Sequence, residues 1–86
     1  MSSETDEQVD DILLASLGLD ANELFPEAHL VTNLGADAFD LVEILGECEA
    51  SFGIDIPESD EWEIQTVQDL RDYVAKKANP SRDVTG

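Results

Sequence analysis

The amino-acid sequence predicts an all-α, four-helix bundle with three main helices and one short one. Three observations carry this expectation. Three segments repeat apolar residues at helical spacing, apolar residues make up 42% of the chain, and 86 residues suffice for one small core but not two. A high net charge with few aromatics can signal disorder, but this apolar content is close to that of ordinary globular chains. One domain over residues 1–79 and a short flexible tail over 80–86 are expected.

The first helix is expected from Thr5 to Leu17, where Val9, Ile12, Leu13, Ser16 and Leu17 share a face. Thr5-Asp6-Glu7-Gln8 has the form of a capping box, and Gly18 can take the left-handed conformation that ends a helix. From Leu19 to Ala36 the periodicity weakens around Pro26, Asn33 and Gly35, which predicts a long loop pinned by scattered apolar residues. Loops of this length tend to be functional or to contain a short helical turn.

The second helix is expected from Asp37 to Phe52, with Leu41, Val42, Leu45, Cys48 and Phe52 as its apolar stripe. Gly53-Ile54-Asp55-Ile56-Pro57 then breaks the pattern, and Glu58 to Glu63 has room for a short third helix. Thr66 is placed to cap a fourth, in which Val67, Leu70, Tyr73, Val74 and the stem of Lys77 recur on one side until Asn79-Pro80. The expected interior is Val9, Leu13, Leu17, Leu45, Cys48, Ile56, Ile64, Leu70 and Val74.

Twenty-one acidic residues against four basic ones leave a formal net charge of -17, and every Lys and Arg lies after position 70. Such a surface repels phosphate backbones, so nucleic-acid binding is not expected and partners should be basic. The single Cys48 cannot form an internal disulfide, and without a Cys/His cluster a structural zinc site is not expected. The acids from Asp55 to Glu63 lack calcium-loop spacing, so no metal is expected there either. His29 has no partner suggesting a catalytic dyad and reads as a loop residue. With no apolar run of about 20 residues and no signal-like N-terminus, a cytoplasmic protein without a membrane span is expected, and it is expected to be a monomer.

Two local features point toward function. Asp40, Glu43 and Glu47, with Asp37 at the helix start, line one side of the second helix. Like charges at these spacings repel by a few tenths of a kcal/mol per pair, roughly, so helix stability does not account for them. Equally, an acidic chain carries acids on every exposed face. The other feature is the junction Asn33-Leu34-Gly35-Ala36-Asp37-Ala38, which delivers the chain to a helix N-terminus whose unpaired N–H groups suit a phosphate. By themselves Gly35 and Ala38 require only a turn and a good helix former.

Leu34-Gly35-Ala36-Asp37-Ala38-Phe39-Asp40-Leu41-Val42-Glu43 resembles the attachment motif of acyl carrier proteins, L-G-x-D-S-L-D-x-V-E. Phe52-Gly53-Ile54-Asp55-Ile56-Pro57 and Thr66-Val67-Gln68-Asp69-Leu70 resemble the family's later junctions, so the likeness runs from about Val9 to Lys77. Gly35-Ala36-Asp37 is similar to the fatty-acid and polyketide type rather than to peptidyl carriers with their G-G-[HD]-S signature.

The resemblance implies an acyl-carrier-protein-like bundle that performs no chemistry itself. It would present acyl thioesters on a 4'-phosphopantetheine arm to enzymes of fatty-acid or polyketide-type synthesis. The arm belongs on a serine where this chain has Ala38, and alanine has no hydroxyl to form the phosphodiester. Two readings stand: an engineered Ser-to-Ala form of a normal carrier, favoured by the intact flanks, and a natural carrier-like adaptor or regulator that kept the docking surface. Asp37, Phe39, Asp40, Glu43 and Glu47 are the implied partner-binding residues, facing basic surfaces on phosphopantetheinyl transferase and on acyl-synthesis or acyl-transfer enzymes. Leu30, Val31, Cys48, Ile56, Ile64 and Leu70 are the implied acyl pocket. Phe39 is expected as an exposed apolar anchor among acids, or else as cover for the loop before the second helix; Trp62 as a core residue, or else as a border of the acyl cavity; and Cys48 as an inert buried thiol.

Overall fold

Helical periodicity resolves into α1 (Glu4–Leu17), α2 (Ala38–Phe52), α3 (Glu58–Glu61) and α4 (Val67–Ala78) among the residues described by the computed structural model, 4–78. The long loop between α1 and α2 contains a 3-10 turn at Ala21–Glu23. The expected stop at Asn79-Pro80 and the tail lie outside the described residues.

Helix α1 packs against both α2 and α4, which touch each other less extensively. The shared interior is built from Val9 and Leu13 of α1, Ile44, Leu45 and Cys48 of α2, and Val67, Leu70 and Val74 of α4. Ile56 and Ile64 close it from the segments flanking α3. Arg71 fastens the last helix to the first: Nε and Nη2 donate to the two carboxylate oxygens of Asp10 at 3.0 and 2.9 Å. This half-buried, two-pronged pair is the geometry in which an Arg–carboxylate contact is strongest.

Chain termination follows local chemistry. Gly18 (φ 66) ends α1 with its N–H donating to Leu14 O at 2.9 Å, and Gly53 (φ 64) ends α2 in the same left-handed conformation. Thr66 caps α4: its Oγ1 accepts from the Asp69 N–H, and Asp69 Oδ2 accepts from the Thr66 N–H, each at 3.1 Å.

Four expectations need correction. Thr5 is not the cap of α1, because the helix already includes Glu4. Val42 is 66% exposed and its place in the apolar stripe is taken by fully buried Ile44, which lies three residues after Leu41 and four before Cys48. Leu17 packs on the core but is only partly buried. Trp62 is 71% exposed, since α3 ends at Glu61 and the following turn carries the indole outward.

Candidate functional site

The loop entering α2 is held by the far end of the chain. Leu30 N–H donates to Gln65 O at 2.8 Å, Val67 N–H donates to Ala28 O at 3.0 Å, and His29 forms an isolated antiparallel bridge with Thr66. His29 also organises the turn that follows. Its Nδ1 accepts the N–H groups of Val31 and Thr32, both at 3.2 Å, while its own N–H donates to Asn33 Oδ1 at 2.7 Å. The residue that reads as plain loop is therefore a turn-building side chain, a role that becomes visible only once two N–H groups converge on one ring nitrogen.

Gly35 (φ 77) then redirects the chain and Ala36 is buried, its N–H donating to Leu30 O at 2.9 Å. Asp37 is the N-cap of α2. Its Oδ1 accepts from the Asp40 N–H at 2.9 Å, and Asp40 Oδ2 accepts from the Asp37 N–H at 3.2 Å. This reciprocal box satisfies N–H groups that a helix start leaves unpaired, and it seats negative charge at the positive end of the helix dipole. Ala38 follows as the first helical residue and is exposed.

From that point α2 presents two kinds of surface. Glu43 and Glu47 are exposed, and Asp40, half-buried in the box, stands on the same side, because the three residues fall within a narrow arc at helical spacing. Beside them Phe39, 84% exposed, and Val42 form an uncovered apolar strip. Phe39 therefore does not cover the preceding loop. Among the described residues, no hydrogen bond or ion pair occupies Glu43 or Glu47.

A cleft of about 350 Å³ opens near the first turn of α2, three residues on from Ala38, where Leu41 forms one wall. Leu30, Val31 and Ile64 line it, and Glu61, Trp62 and Gln65 form the side toward α3. Of the six residues assigned to an acyl pocket, these three face the cleft, while Cys48, Ile56 and Leu70 lie in the buried core. Burial pushes the Cys48 thiol up to about 11, with the neighbouring Glu47 and Glu49 charges adding to the effect. The short α3 is held at both sides. Tyr73 Oη donates to Asp60 Oδ2 at 2.6 Å, and the Ile56 N–H before it donates to Glu49 Oε2 at 2.8 Å. Partial burial and then the bond to Asp60 raise the Tyr73 hydroxyl far above its ordinary range.

No helix among the described residues is long and apolar enough to cross a membrane. Residues 7–74 match the family model described as a phosphopantetheine attachment site. The chain is 42% identical over 71 residues to an acyl carrier protein of Solidesulfovibrio magneticus, covering 83% of this chain and 91% of that one. It is 44% identical over 66 residues to an acyl carrier protein of Syntrophobacter fumaroxidans, covering 77% and 82%. Against these likenesses stands one local disagreement: the side chain at the start of α2 is a methyl group, so Ala38 does not fit covalent attachment of the arm.

Proposed function

The chain belongs to the acyl carrier protein family, a family of carriers and not of enzymes, and we propose that it serves fatty-acid or polyketide-type synthesis when serine occupies position 38. In that form 4'-phosphopantetheine would hold the acyl group as a thioester. The observation that carries the reading is the exposure of position 38 as the first residue of a box-capped helix, with the acidic side of α2 running away from it.

What the chain's own residues contribute is presentation. Asp37 and Asp40 fix the first turn of α2, so an attached group leaves from a constant position. Glu43 and Glu47 attract Lys and Arg on synthesis enzymes, on transferases and on the enzyme that installs the arm, and Phe39 gives each encounter an apolar anchor. Such contacts speed association and weaken in salt. Leu30, Val31 and Ile64 would receive the start of an acyl chain, and Cys48, Ile56 and Leu70, buried in the core, would meet it further in. A monomer in the cytoplasm fits this role.

Ala38 itself favours a second reading: a natural adaptor or regulator that docks the same enzymes without an arm, since the missing hydroxyl leaves the docking face intact. Both readings require docking. A broad-specificity phosphopantetheinyl transferase should bind the Ala38 chain at low salt, and the paired change Glu43→Lys, Glu47→Lys should weaken binding about tenfold or more. Equal affinity for both forms at low salt would deny the acidic face any part in docking.

A further inference from the structure

Gly46 stands in the middle of α2, where glycine is less favourable than alanine. Nothing among the described residues asks for it. Its φ is not positive, and a Cβ built there meets no atom of the described residues within 4 Å. Gly46 instead lines a groove of about 700 Å³ between α1 and α2. Asp11, Ile12 and Ala15 of α1 form one bank, and Glu43, Gly46 and Glu47 of α2 form the other. The floor is apolar or small, and acids stand on both rims without a hydrogen-bonded or ion-paired partner among the described residues.

We infer that this groove seats a cationic amphipathic helix of a partner protein, whose backbone passes close over Gly46. Its small apolar face would rest on Ile12, Ala15 and Gly46, and its Lys or Arg side chains would reach Asp11 on one rim and Glu43 and Glu47 on the other. Charge complementarity selects the occupant, because a rim of three uncompensated carboxylates repels an acidic segment of the same shape and offers a neutral one no charge contact. The inference rests on the docking reading above and extends it: partners held by Glu43 and Glu47 bridge to α1 rather than staying on α2 alone.

The test is a low-salt NMR titration of the full Ala38 chain with a synthetic amphipathic helical peptide carrying Lys on its polar face and Ala and Leu on the other. Amide shifts should concentrate at Asp11, Ile12, Ala15, Gly46 and Glu47. Asp11→Lys and Gly46→Gln should each weaken binding about fivefold or more. Gly46→Ala should raise the melting temperature while weakening binding, opposite signs that a folding defect cannot produce. Shifts confined to Phe39 and Val42, with Asp11→Lys and Gly46→Gln neutral, would overturn the groove and leave docking on α2 standing. No shift anywhere on the acidic face would overturn both.

Discussion

Replacing Asp37 tests how the start of α2 is held. In Asp37→Ala the Asp40 N–H loses its acceptor at 2.9 Å, and the reciprocal box around position 38 opens. Losing an N-cap side chain costs about 1 kcal/mol, within a range of roughly 0.5–2. Removing one acid from a chain of net charge -17 returns a few tenths of a kcal/mol, roughly, by easing like-charge repulsion. For a domain of this size 1 kcal/mol corresponds to roughly 4–8 °C, so a fall of about 4 °C is expected after the offset. Asp37→Asn removes the same charge but keeps an acceptor oxygen, and it should stay within about 2 °C of the parent. Far-UV circular dichroism melts at fixed low salt read both. If Asp37→Ala melts with the parent, or Asp37→Asn falls as far as Asp37→Ala, the hydrogen-bonded box is not what secures the helix start.

His29→Ala strands the N–H groups of Val31 and Thr32 that its Nδ1 accepts, and it should cost about 1 kcal/mol in urea unfolding; an unchanged midpoint would deny the side chain its role in the turn. Cys48, raised from 9.0 to about 11, should alkylate at pH 8 about a hundredfold more slowly in the folded chain than in urea. The folded state keeps a proton that the unfolded chain releases first, so this contribution to stability is complete below about pH 9 and is lost as pH rises through about 11. A Cys48→Ala chain should lack that part of the alkaline decline in melting temperature. Salt should act with opposite signs, raising the melting temperature by screening the chain's own acids while slowing association with a basic partner; a fall in both would show that repulsion among the acids does not limit stability.

The helices are legible in the sequence because their apolar residues recur at the spacing that a shared interior demands, and the ends because Gly18, Gly53 and Thr66 carry local chemistry that works without tertiary help. Sequence reasoning fails where a side chain's surroundings depend on distant segments. Val42 and Ile44 are both β-branched and close in sequence, and only the position of α1 and α4 decides which one is covered. Trp62 suggests core by its size, yet it follows the one-turn α3 and is left exposed at the side of the cleft. His29 shows no motif, since its partners are backbone groups that converge only when the turn closes. At the site, Ala38 and the acids of α2 are readable from the motif, whereas the groove at Gly46 requires knowing that α1 runs beside it.

The most direct measurement is the intact mass of the Ala38→Ser chain after incubation with coenzyme A and a broad-specificity phosphopantetheinyl transferase, beside the Ala38 parent. The serine form should gain one phosphopantetheine arm and the parent none. An unchanged mass for the serine form, with the transferase active on another carrier in the same tube, would contradict the placing of an attachment point at the first residue of α2.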